Sequence, residues 1–190
     1  MRKILLVLMF VVIPVFVGAV ELKGDWVLAQ SVISYKVTHP LHHVVGKTTE
    51  ARGKGICKNG HCHFIVGVPV KSFDSGDGNR DTHMLQITKG ADHPLITVNI
   101  DFNSPDKKGF PKEQKADLTI QFAGKTVKYP QVALKMVPLG GSHVQVTALI
   151  ALSLKDFEIT PPSLLGVPIE DSVPVQVDTT WKKVTSFDAK

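Results

Sequence analysis

The stretch ITVNIDF, residues 96–102, decides the fold. Ile96, Val98, Ile100 and Phe102 alternate with Thr97, Asn99 and Asp101, and a period of two gives a strand one apolar and one polar face. The pattern returns in DLTIQF, where Leu118, Ile120 and Phe122 alternate with Asp117, Thr119 and Gln121. It returns in VPVQVDTTWKK, with Val173, Val175, Val177, Thr179 and Trp181 on one side, and in SVISYKVTH, with Ile33, Tyr35 and Val37. In HVQVTALIAL the inner face is Val144, Val146, Ala148, Ile150 and Leu152. The other face of that strand turns apolar at Leu149 and Ala151, which predicts that this end is covered.

Turn signals join these runs. Asn59-Gly60, Ala123-Gly124 and Gly140-Gly141 each stand between alternating segments, where a two-residue hairpin turn requires positive φ. One segment reads as helical, DTHMLQI near residues 81–88, with Asp81 as its cap. Many alternating strands with a single short helix predict an all-β chain closed into an antiparallel barrel of about eight strands, because closure removes exposed edges. The inward residues are mostly Val, Ile, Leu and Ala, which favours a cavity over a filled core. Candidate lining residues are Ile33 and Tyr35, Phe64 and Val66, Ile96, Val98 and Ile100. Leu118, Ile120, Val144, Val146 and Trp181 complete the set, with plain core packing as the alternative.

The chain opens MRKILLVLMFVVIPVFVGAVELKG. Arg2 and Lys3 precede an apolar run from Ile4 to Val17 that contains Pro14, and small residues lead to Ala19. This is the pattern of a secretory signal peptide over residues 1–19, followed by one domain over 20–190. The apolar run is short for a spanning helix, so no stable membrane insertion is expected. Cleavage would remove two positive charges and lower the net charge from +5 to +3. The lysines are scattered, with Lys107-Lys108 and Lys182-Lys183 the only pairs, so no nucleic-acid footprint is present. The expected location is periplasmic or secreted.

The two cysteines lie in GICKNGHCHF, residues 55–64. With Asn59-Gly60 as the turn, Cys57 and Cys62 face each other as a non-hydrogen-bonded pair about 4.5 Å apart at Cα, within reach of a disulfide. An exported chain meets oxidising conditions. Two sharper readings stay open. Cys57-x4-Cys62-His63 is a widened version of a c-type haem attachment, with His63 as axial ligand. Alternatively the histidines at 39, 42 and 43 are a pool of soft ligands, and His61 and His63, which share a face, form a metal corner supplemented from His42 or His43. The disulfide reading needs no cofactor. There is no G-x-S-x-G, H-E-x-x-H or phosphate-loop motif, so the chain is read as a binding protein and not an enzyme, with an uncharacterised stress-response enzyme as the rival.

Five ordered segments resemble the YceI-like family of exported proteins. They are SVISYKVTH with HHVVGK (Ser31 to Lys47), VPVKSFDSGDGNRDTHM (Val68 to Met84), PLITVNIDF (Pro94 to Phe102), ADLTIQFAGKTVKYP (Ala116 to Pro130) and LSLKDFEITPPSLLGVPIEDSVPVQV (Leu152 to Val177). The resemblance implies a lipocalin-like barrel closed over by a helix, and a lipid-like ligand of polyisoprenoid or fatty acyl type. A homodimer that covers the mouth is compatible with it. Arg80 and Asp81 match the family's Arg-Asp pair. Arg80 is then either a mouth residue for a ligand head group such as phosphate, or the ion-pair partner of a capping Asp81. Glu158 and Ala116 stand where the family usually has glycine, and the cysteine pair and the histidines at 39–43 are not family features.

Overall fold

The computed structural model describes residues 22–40, 42–104, 110–164 and 166–184. Residues 1–19, read above as a signal peptide, and the pair Lys107-Lys108 lie outside the described residues. The strands are β1 (Gly24–His39), β2 (His42–Thr48), β3 (Arg52–Lys58), β4 (His61–Pro69), β5 (Leu95–Asn103), β6 (Glu113–Phe122), β7 (Lys125–Gly140) and β8 (His143–Ser153). A strap carrying the two-residue β9 (Ser163–Leu164) and β10 (Val167–Pro168) then leads to β11 (Ser172–Lys183). The helix α1 (Gly78–Ile87) lies between β4 and β5.

The sheet runs β11-β8-β7-β6-β5-β4-β3-β1-β2, and β11 pairs back onto β1. Both β2 and β3 lie along the same side of β1, β2 against Ile33 to His39 and β3 against Gly24 to Val27. They are two halves of one interrupted strand, so the sheet is a closed eight-stranded antiparallel barrel. The interruption has a local cause. Thr48 Oγ1 accepts the Glu50 N–H at 3.1 Å, and Ser31 Oγ donates to the Thr49 carbonyl at 3.3 Å. Such side-chain bonds divert the backbone from the ladder.

The alternation places the wall residues as expected, with one correction. The outer side of β8 is not covered: Leu149 is 71% exposed, paired with Gln176 of β11. The wall is one strand thick, and the strap packs over the end of the barrel instead of its flank. Two turns follow the sequence signals, with positive φ at Asn59 and Gly60 and at Ala123 and Gly124. The third is displaced by one residue. Gly141 and Ser142 form the turn, and Gly140, also at positive φ, sits at a register shift after Pro138.

The helix begins earlier than its apolar residues suggest. Asp77, not Asp81, is the cap, accepting the N–H groups of Asn79 at 2.9 Å and Arg80 at 3.1 Å. Asp81 sits in the first turn and accepts the Ser75 N–H at 3.1 Å.

One end of the barrel is filled. Cys57 and Cys62 pair across the β3–β4 hairpin with Cα atoms 4.1 Å apart and are joined by a disulfide. Trp26, Phe64, Phe102 and Trp181 are buried beside them. Phe64 stacks on Phe102 at 5.9 Å and meets Trp181 edge-on at 4.9 Å, both favourable ring geometries. This aromatic floor needs glycine opposite it. Gly55 pairs with Phe64, and a Cβ at Gly55 would overlap the Phe64 ring. Gly55→Ala is therefore expected to cost about 1–3 kcal/mol in urea unfolding. Gly78→Ala, where a Cβ meets nothing within 4 Å, is expected to be neutral or to stabilise by up to about 1 kcal/mol. Equal losses at both positions would contradict the close packing at Gly55.

Candidate functional site: an apolar cavity

Above the floor the barrel is hollow. A cavity of about 220 Å³ is walled by β1, β4, β5, β6, β8 and β11 together with Leu134 of β7. Its cause is side-chain size. Val66, Val68, Val98, Val146, Val175 and Val177 suit extended strands but are too short to meet across an eight-stranded barrel.

The wall residues that carry polar atoms have most of them already bonded. Ser153 Oγ donates to Asp171 at 2.7 Å. Thr179 Oγ1 donates to the Val146 carbonyl at 3.0 Å, and Trp181 Nε1 donates to Thr179 Oγ1 at 3.2 Å. Tyr35 is the remaining polar wall residue, near the helix end. Its ring lies over Gly46, where a Cβ would overlap it, and packs 5.4 Å from Phe73. Burial raises its hydroxyl above the usual tyrosine range; Asp81 adds to the rise and Arg80 opposes it. The phenol therefore stays protonated near neutrality.

The mouth is roofed by two segments. One is α1 with its approach, which contributes Val70, Phe73, Met84 and Ile87 to the lining. Reciprocal 2.9 Å backbone bonds between Lys47 and Asp74 tie it to β2. The other is the strap, which contributes Leu154, Phe157 and Ile169. Asp171 clamps its ends: its carbonyl accepts the Leu154 N–H at 3.1 Å, and its carboxylate accepts the Lys155 N–H at 3.0 Å and the Ser153 hydroxyl. The Ser153 bond holds that carboxyl below the usual aspartate range. His39, 3% exposed, donates through Nε2 to the Val167 carbonyl at 3.2 Å, docking the strap on the end of β1.

Ile33, Tyr35, Val66, Ile96, Val98 and Ile100 all line the cavity, as do Leu118, Ile120, Val146 and Trp181. Phe64 and Val144 lie lower, against a second chamber of about 40 Å³. Arg80 is not part of the cavity wall. Its guanidinium donates to the Ser75 carbonyl at 3.0 Å and lies 4.0 Å from Asp77, which replaces Asp81 as its acidic neighbour. Val37 and Val68, which extend the same alternation beyond the candidate set, also line the cavity. Phe73, Met84, Phe157 and Ile169 carried no periodic signal.

The histidines do not converge. His61 and His63 share the outer face of β4 and flank Asp101, at 3.4 and 2.8 Å. His43 lies on β2 opposite Thr38, near the His39 end of β1, whereas β3 and its partner β4 lie toward the Gly24 end; the side chain of His42 lies outside the described residues. The expected metal corner with His43 is thus split between the two ends of the barrel. Among the described residues no group of three or more His, Cys, Asp or Glu is placed to hold a metal ion. The haem reading fails on its ligands, since Cys57 and Cys62 are bonded to each other.

The YceI-like domain family matches residues 26–181. Among solved structures, a polyisoprenoid binding domain from Saccharophagus degradans, implicated in plant cell wall breakdown, is similar at a TM-score of 0.67 and 13% identity, covering 84% of this chain and 98% of that one. Burkholderia cenocepacia BcnA is similar at 0.67 and 12% identity, covering 79% and 95%. The Campylobacter jejuni YCEI protein is similar at 0.53 and 13% identity, covering 97% and 100%. At these identities the likeness is one of fold. No curated protein matches the sequence. Among the described residues no helix is long and apolar enough to cross a membrane.

The Asp171 clamp has a pH signature. A carboxyl held low in the fold contributes stability that is present above its unfolded value and lost as pH falls through the folded one. Asp171→Asn is expected to lower the urea midpoint at neutral pH, with the gap to the parent protein closing below about pH 4. A gap that persisted unchanged in acid would show that the carboxylate charge is not what holds the strap.

Proposed function

The chain belongs to the YceI-like domain family, and we propose that it is an exported binding protein that holds a lipid-like amphiphile, of polyisoprenoid or fatty acyl type, with its tail in the barrel. The observation that carries this reading is the bonded state of the wall. The hydroxyls of Ser153 and Thr179 and the indole N–H of Trp181 are already satisfied within the fold. Apart from the Tyr35 hydroxyl near the helix end, what remains for a guest is apolar surface, which recognises a hydrocarbon by burial alone, at about 25 cal/mol per Å². The polyisoprenoid-binding description of the Saccharophagus degradans domain points the same way.

Catalysis in this cavity would need a positioned acid, base or nucleophile. Tyr35 is the one candidate, and its raised pKa keeps it a neutral donor. On this reading the polar end of the guest sits at the helix side of the mouth, beside Tyr35, Asp81 and Arg80. There Arg80 would meet an anionic head group by exchanging its bond to the Ser75 carbonyl. The leader-like residues 1–19 and the disulfide support action outside the cytoplasm, in the periplasm or the medium.

The fluorescence of a polyene fatty acid, cis-parinaric acid, reports entry into such a cavity. The parent protein is expected to bind it. Val98→Trp and Ile120→Trp, which fill the space from β5 and β6, are expected to weaken binding at least tenfold while the far-ultraviolet circular dichroism stays that of a folded barrel. Unaltered binding in both folded variants, or none in the parent, would overturn the reading.

A further inference from the structure

The main cavity and the lower chamber share four wall residues, Ile100, Leu134, Val146 and Trp181. The largest of these is Trp181, and it is 5% exposed. Along β11 the inward residues run Val173, Val175, Val177, Thr179, Trp181 from mouth to floor, so the bore narrows abruptly at its last position. We infer that Trp181 is the length gauge of the site: its indole is a fixed partition on which the end of the guest's tail abuts, and it sets the longest hydrocarbon the barrel accepts. This rests on the reading of the cavity as a lipid site.

The indole is held on three sides. Its Nε1 donates to Thr179 Oγ1 at 3.2 Å, and that hydroxyl donates onward to the Val146 carbonyl at 3.0 Å. Its ring meets Phe64 edge-on at 4.9 Å. The backbone of β3 presses close at Gly53, where a Cβ would come within 2.9 Å of Cη2. A ring swung aside to admit a longer tail would break a buried hydrogen bond and lose its contact with Phe64. The chamber of about 40 Å³ beyond it therefore stays closed to the tail.

The test is a series of straight-chain fatty acids, lengthened two carbons at a time, binding to the full mature chain. While the tail still has room, each added methylene should tighten binding about fourfold, and the gain should stop where the tail reaches the indole. In Trp181→Leu the break is expected to move to a longer chain, because main cavity and lower chamber merge. In Val146→Phe, which narrows the same constriction with the tryptophan retained, it is expected to move to a shorter one. If Trp181→Leu fails to fold, the milder Trp181→Phe carries the test. A break at the parental length in the folded Trp181 variants would overturn the gauge and leave the lipid reading standing. No binding of any member by the parent protein would overturn both.

Discussion

The ladder between β1 and β11, from Trp26 opposite Lys183 to Tyr35 opposite Val175, is the constraint on which the rest of the molecule depends. An open sheet with these strands would present unpaired edges and could turn its apolar face onto any layer at hand. Once β11 closes onto β1, that face has only itself to pack against. Side-chain size along each strand then decides where the interior is solid and where it is hollow. Small residues toward the helix end leave the cavity, and large aromatic residues toward the disulfide end fill it.

The two ends are built for different tasks. At the floor, the disulfide, the stacked rings and the glycines of β3 make a dense unit. At the mouth, α1 buries no residue completely, and it is tied down by its cap, by Arg80 on Ser75 and by the backbone pair of Lys47 with Asp74. Segments with few buried contacts and exposed hydrogen bonds are the ones that open locally. On the proposed reading the guest enters at this end, because opening the other would disrupt the aromatic core. An unfilled cavity carries a stability cost that grows with its volume, so a hydrocarbon that occupies it would stabilise the barrel as well as being held by it.

The wall was legible in the sequence because period two is a local property. Ile96 to Phe102 and Val173 to Trp181 each declare their inner face without reference to any other segment. The Asn59-Gly60 turn and the cysteine pair were legible for the same reason. The misread positions depend on the fold around them. Leu149 looks like a covered residue until the wall is seen to be one strand thick. Asp74, Asp77 and Asp81 are all acceptable caps, and the choice of Asp77 follows from where the backbone leaves its pairing with β2. The roof residues Phe73, Phe157 and Ile169 come from irregular segments far apart in the chain. The partition at Trp181 needs β3, β4, β8 and β11 together, and no stretch of sequence contains it.

Lipid binding by the barrel is measured most directly by native mass spectrometry of the full chain, residues 1–19 included, produced in an exporting host, beside the denatured mass of the same sample. The expected covalent mass is two hydrogens below that of the reduced chain cleaved after Ala19. An additional non-covalent mass, released on denaturation and partitioning into organic solvent, is expected with it. Bare protein, both as isolated and after incubation with a polyisoprenyl phosphate or a long-chain fatty acid, would contradict it.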